Sequence, residues 1–280
     1  MNRTLLSLYG LKWNPFAPDV PVEALHRSAA VDSFCWRVEQ LSGEGGFALV
    51  SGAPGAGKST ALRILAERLR SQRELTVGVL SRPQAGLHDF YREMGDLFGV
   101  ALHPHNRWAG AKVLRHRWQT HIDSALVRPV LLIDEAQEMA SAVLSELRLL
   151  CSARLDSQLL LTVILAGDQR LLRRLEAEEL LALDSRIRVR LNLPRASSED
   201  LHACLHHALA SAGAAHLMSR ELCATLCDHA AGNYRSLMNM AGELLAVAAH
   251  RELERLDEKL FLETFSAPAP PAGGGAGWKT

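Results

Sequence analysis

Residues 47–65 read FALVSGAPGAGKSTALRIL. A strand-forming run, FALVS at 47–51, passes into a turn with glycine at 52, 55 and 57, and a helical pattern follows Ser59. A strand that turns on glycines and re-enters as a helix is the joint of a βα unit. The glycines let successive backbone N–H groups point inward, and the helix start adds the positive end of its dipole at the same place. Gly52, Gly57, Lys58 and Ser59 satisfy the spacing GxxxxGK[ST], with Pro54, Gly55 and Ala56 inside the loop. The loop therefore reads as a cradle for a phosphate chain. In it Lys58 reaches the β- and γ-phosphates, the Ser59 hydroxyl ligates Mg²⁺, and Thr60 supports the turn.

Four further apolar runs follow: LTVGVL at 75–80, VLLID at 130–134, LLLTVILAG at 159–167 and IRVRLNL at 187–193. Continuous Val/Ile/Leu runs separated by helical stretches indicate a parallel sheet covered on both faces. Pro194 closes this part. Beyond it the pattern is helical only. Ser197 with Asp200 reads as a capping box, Ser219 as the cap of RELCATLCDHAAG, and Asp257 as the cap of a short last helix, with another helix over 234–253. The expected organisation is a leader at 1–45, an α/β nucleotide-binding domain at 46–194, a helical lid at 195–265 and a Pro/Gly tail at 266–280.

VLLIDEAQEM places Asp134 at the end of a buried strand with Glu135 beside it. In P-loop ATPases an acid at a strand end holds the Mg²⁺ shell, and a neighbouring glutamate can polarise the attacking water. Two carboxylates beside one cation suffice, because this chemistry is mostly positioning and charge stabilisation.

Composition narrows the surroundings. Lys plus Arg (31) equals Asp plus Glu (31), which disfavours a surface that is basic all over and leaves room for a local basic stripe. Five cysteines without a CxxC pair suit reduced thiols in the cytoplasm. No apolar run reaches the roughly 20 residues a spanning helix needs, so no membrane association is expected. His202, Cys204, His206 and His207 crowd one helix, and a His202/His206 pair at one-turn spacing is a Zn²⁺ geometry. No second ligand pair accompanies it, so it reads as chance clustering. Cys223 and Cys227 read as core. HPH at 103–105 reads as loop. Trp278 reads as part of a disordered terminus.

LYGLKWNPFAP, GAPGAGKST, VLLIDEAQEM, VLSELRLLCSARLDSQ, VILAGDQRLLRRL and DSRIRVRLNL follow one another along the chain. In this order they resemble the ExeA-like AAA+ ATPases, a group that includes secretion-associated ATPases and the TniB, TnsC and Mu B helper ATPases of DNA transposition. The resemblance covers roughly residues 8–250. It implies ATP and Mg²⁺ as cofactors and a ring or helical filament of identical subunits. It also implies roles for single residues. Asp168 or Gln169 matches the sensor of the γ-phosphate, although an aspartate would repel phosphate unless it orients water or a neighbouring side chain. Arg186 matches an arginine finger given to the adjacent subunit, with Arg188 and Arg190 as alternatives, and Arg235 matches the lid arginine. A finger supplied in trans contributes ~10³–10⁵ in rate, so an isolated subunit should hydrolyse poorly.

The stretch RWAGAKVLRHRWQTHIDSAL, 107–126, has Leu114, Trp118 and Ile122 at every fourth position, a buried face. Lys112, His116 and Thr120 oppose it, with Arg115 and Arg117 on the flanks. Together with Arg82 they form a candidate track for the backbone of double-stranded DNA, without base readout. The expected function is an ATPase that assembles with ATP on DNA and recruits or activates a transposase. The alternative is an ExeA-like secretion ATPase, a type that usually continues into a membrane span where this chain has its Pro/Gly tail. Glu135 argues against a non-hydrolysing scaffold, and the lack of a substrate-binding insertion argues against a small-molecule kinase.

Overall fold

The computed structural model describes residues 2–101, 107–154 and 156–265; the HPH segment and the tail with Trp278 lie outside them. The chain divides into two compact units, one of Pro21–Ser197 with Asn233–Arg235, the other drawn from Met1–Val20, Ser198–Gly232 and Ser236–Thr280. The leader expected over 1–45 is thus split between them.

The first unit is built on a five-stranded parallel sheet. Its strands are β1 (Gly46–Gly52), β2 (Leu75–Leu80), β3 (Arg128–Ile133), β6 (Thr162–Gly167) and β7 (Ile187–Leu193), in the order β2-β3-β6-β1-β7. Each expected strand is present. Between β3 and β6 lies a pair the sequence does not announce, β4 (Ser152–Ala153) and β5 (Gln158–Leu159), antiparallel and two residues each.

Alternate strand residues face opposite sides. Ala48, Val50, Val130, Leu132, Ile164 and Ala166 pack with Val31, Phe34 and Val38 of α2 (Ala29–Glu44) and with Ala61, Ile64 and Leu65 of α3 (Lys58–Arg70). Phe47, Leu49, Leu131, Ile133, Val163 and Leu165 face the other side. There they meet α4 (Leu87–Phe98), α5 (Arg107–Ala125), α6 (Ser141–Cys151), α7 (Gln169–Leu175) and α8 (Leu181–Asp184). Burying one such aliphatic side chain contributes about 1.5–3 kcal/mol, so strands apolar on both faces stay between two helix layers. The Ser28 hydroxyl starts α2 by accepting from the Val31 N–H at 3.3 Å.

The second unit is helical: α1 (Asn2–Tyr9), α9 (Ser198–Ala212), α10 (Arg220–Ala230), most of α11 (Tyr234–His250) and α12 (Glu258–Phe265). Leu201, Leu205 and Leu209 of α9 are buried, as are Leu222, Leu226 and Cys227 of α10 and Leu237, Leu244 and Leu245 of α11. Ser219 caps α10 by accepting from the Leu222 N–H at 3.1 Å, and Asp257 Oδ1 accepts from the Leu260 N–H at 2.9 Å in α12. The start of the chain is tied in here, since the Lys12 N–H donates to the Ala212 carbonyl at 3.0 Å and the Tyr9 hydroxyl to the Leu253 carbonyl at 2.9 Å.

Candidate active site

All strands of the sheet run parallel, so the chain leaves β1, β3 and β6 at one edge, where open α/β sheets hold their ligands. The loop between β1 and α3 is shaped by glycine. Gly55 and Gly57 have φ of 80° and 97°, and a Cβ on Gly52 would lie 2.8 Å from the Leu193 carbonyl oxygen. Lys58 opens α3 with its side chain buried, and its ammonium donates to the carbonyls of Gly52 at 3.0 Å and Ala53 at 3.2 Å. An ammonium spanning the loop in this way is positioned to exchange those carbonyls for phosphate oxygens. Ala56 is buried, Thr60 half-buried, and Pro54 exposed at the loop's tip.

Two residues 75 positions apart then meet: the Ser59 hydroxyl donates to Asp134 Oδ2 at 2.6 Å. The other carboxylate oxygen, Oδ1, accepts from the Glu135 N–H at 2.9 Å. An aliphatic hydroxyl beside a carboxylate offers the hard oxygen donors that Mg²⁺ prefers, and the loop offers inward N–H groups to phosphate, so these residues fit both groups. Glu135 is exposed and left-handed, with φ 53° and ψ 40°, where a non-glycine residue is held only by its surroundings. Its carboxylate accepts from the Gln137 amide.

Asp168 follows β6 and caps α7, its Oδ1 accepting from the Arg170 N–H at 2.8 Å. Burial pushes its carboxyl up, but the Arg170 N–H and guanidinium together hold it below the usual carboxylate range. Its charge is thus taken up by Arg170, which also pairs with Glu138 at 2.9 Å. Gln169 opens α7.

The arginines lie elsewhere. Arg186 precedes β7, whose register pairs Ile187 with Phe47 at the start of β1. It is therefore at the opposite end of the sheet from its own phosphate loop, a strand length of roughly 20 Å away. There it donates to Asp156 Oδ2 at 2.5 Å and to the Ala182 carbonyl at 2.6 Å, and this pairing holds the Asp156 carboxyl below its ordinary range. Arg188 pairs with Glu44 and Arg190 with Asp184. Arg235 is exposed in the first turn of α11. Among the DNA candidates, Arg82 is exposed beyond β2, and Lys112, His116 and Arg117 are exposed on α5. Arg115 is turned inward, donating to the Ser152 carbonyl at 2.5 Å. On α9, His207 lies 3.3 Å from the Ser211 hydroxyl. Among the described residues no group of three or more His, Cys, Asp or Glu is placed to hold a metal ion. Nor is any helix among them long and apolar enough to cross a membrane.

Sequence reasoning missed three contributors. Asn233 and Tyr234 touch the loop: the Asn233 amide donates to the Pro54 carbonyl at 3.2 Å and the Tyr234 N–H to the Gly55 carbonyl at 3.1 Å. Gln137 stands between Glu135 and Asp168. Its only signal was its place within DEAQ.

Residues 41–175 match the family model described as "AAA domain". General secretion pathway protein A of Aeromonas hydrophila is 30% identical over 212 residues, which cover 75% of this chain and 38% of that protein. The chain thus spans well under half the length of this curated relative. The ORC2 protein of Aeropyrum pernix, solved as ADPNP–ADP complexes, superposes with a TM-score of 0.71 at 17% identity, covering 92% of this chain and 72% of that one. The ORC1 protein of the same organism, solved in complex with DNA, gives 0.67 at 17% identity, over 89% and 67%. The α/β unit followed by helices has the P-loop AAA+ fold.

Proposed function

We propose that this P-loop AAA+ chain is a Mg²⁺-dependent ATP hydrolase whose site is completed by a second copy of itself. The observation that carries the reading is the Ser59–Asp134 hydrogen bond beside Glu135, which joins the phosphate cradle to an acidic strand end. Bound Mg²⁺ and ATP would supply a charge-screened γ-phosphate with a good leaving group. Gly52–Gly57 bind the phosphates through backbone N–H groups, and Lys58 neutralises them. Ser59 and Asp134 hold the cation. Glu135 orients the attacking water and accepts its proton at a carboxylate oxygen. Asp168, neutralised by Arg170, shapes the end of β6 rather than repelling phosphate. Arg186, at the far end of the sheet, serves the nucleotide of the next subunit in a ring or filament, and Arg235 serves as the lid arginine.

The similarity to General secretion pathway protein A favours a secretion-associated setting for this ATPase. A second reading, assembly on double-stranded DNA that recruits or activates a transposase, is supported by the exposed Lys112, His116 and Arg117 on α5 and by a fold shared with a DNA-bound ORC1 protein. Phosphate release tests the enzymatic core. Lys58→Ala should lose nucleotide affinity by ~10²-fold or more, because one charge-assisted contact in a dry cradle contributes about 3 kcal/mol. Arg186→Ala mixed with Glu135→Gln should recover part of the rate, since each variant lends what the other lacks. Unchanged affinity in Lys58→Ala would defeat the reading. An ATP-dependent mobility shift with duplex DNA separates the two settings.

A further inference from the structure

We propose that Gln137 is the positioning residue for Glu135: its side-chain amide sets the direction of that carboxylate and ties it to the end of β6. The inference rests on the hydrolase reading above. Gln137 is buried, with 6% of its surface exposed, although both ends of its amide are polar. Nε2 donates to Glu135 Oε2, and Oε1 accepts from the Asp168 N–H at 3.3 Å. The two ends face groups of opposite character. Turned over, the amide would set its oxygen against a carboxylate and its NH₂ against an N–H, so only one orientation satisfies both. The main chain is pinned as well, since Arg174 Nη1 donates to the Gln137 carbonyl at 2.7 Å and Arg174 Nη2 lies 3.1 Å from the Ser141 hydroxyl.

Gly167 makes room for this arrangement. A Cβ there would lie 2.8 Å from Gln137 Oε1. Glu135 itself is exposed, and a glutamate in water has several rotamers of similar energy. Glu135 sits on a left-handed backbone, and the buried amide of DEAQ meets its carboxylate. Gln137 touches neither the phosphate loop nor Asp134 in any hydrogen bond among the described residues. It acts on the reaction through Glu135.

Three variants of the full chain test this, read by steady-state phosphate release and by binding of a fluorescent ATP analogue. Gln137→Glu keeps the size of the side chain and the acceptor for the Asp168 N–H but sets a carboxylate against Glu135. It should lower kcat by ~10²-fold, the range of a misplaced general base, with nucleotide affinity within about twofold of the parent. Gln137→Met, which removes both hydrogen bonds, should fall comparably in kcat. In a Glu135→Ala background, adding Gln137→Glu should leave the residual rate unchanged, because residues that act as a unit are not additive. A merely structural glutamine would either tolerate Gln137→Glu or lower the rate by the same factor in the parent and in the Glu135→Ala background. Either result overturns the proposal while leaving the hydrolase intact. Absence of hydrolysis in the parent chain would overturn both. Should Gln137→Glu fail to fold, Glu135→Gln with Gln137→Glu restores an amide–carboxylate pair with the roles exchanged. Recovery of Tm in that double variant supports the contact, and no recovery overturns it.

Discussion

At the scale of residues, the site depends on backbone positions that tolerate no side chain. Gly55 combines φ 80° with a Cβ position 2.1 Å from Asn233 Oδ1. Gly55→Ala should cost about 1–3 kcal/mol in stability through the left-handed backbone alone. Thermal denaturation with the Asn233→Gly variant as partner separates the terms: removing the amide relieves the clash and leaves the backbone cost. Lys58, Ser59, Asp134 and Glu135 were legible because each belongs to a short pattern whose spacing carries its own mechanism. Asn233 was not, since its contact with Pro54 joins positions 179 apart and only the folded chain brings them together. Asp168 was legible as a position but not as an environment. Its neutralising partner is two residues on, at a spacing that suits an arginine facing water equally well.

At the scale of elements, α5 shows what periodicity can and cannot reveal. Leu114, Trp118 and Ile122 are buried as their spacing requires, and Trp118 meets Phe98 edge-on with ring centroids 5.4 Å apart. Trp118→Ala should destabilise the chain by about 3–5 kcal/mol, measured by urea unfolding. Trp118→Phe should cost much less, because the indole N–H is buried without a partner among the described residues and its removal relieves that penalty. The polar face was legible as polar, but Arg115 turns to a carbonyl of β4, a two-residue strand too short to leave a sequence signal. The strands of the main sheet were readable for the converse reason. Both faces of β1, β3 and β6 are covered, so each is apolar along its length, whereas β7 at the sheet's margin buries only every second residue.

At the scale of the whole molecule, the two helix layers also set the chemistry of the thiols. Burial pushes Cys35 up to about 11, with Arg68 opposing and Asp32 and Glu39 assisting. The folded chain therefore keeps this proton where the unfolded chain loses it. The stabilisation is complete below the ordinary thiol value of 9.0 and disappears as pH rises through about 11. Urea midpoints at pH 8 and pH 10.5 should show a loss that Cys35→Val reduces. Iodoacetamide at pH 8 should modify half-buried Cys223 well before Cys35 or Cys151.

The sheet ends at β7, where Arg186, Arg188 and Arg190 stand two residues apart, each joined to an acid of its own chain. The Arg37 guanidinium also covers the Arg190 carbonyl at 3.3 Å. A bare strand margin is a template on which foreign segments accrete. Here a newcomer must first strip three internally neutralised guanidinium groups of their counterions and shed one cap. Stray polymer growth along this rim is thereby discouraged, while the finger role proposed above requires Arg186 to exchange Asp156 for the phosphates of a neighbour's nucleotide.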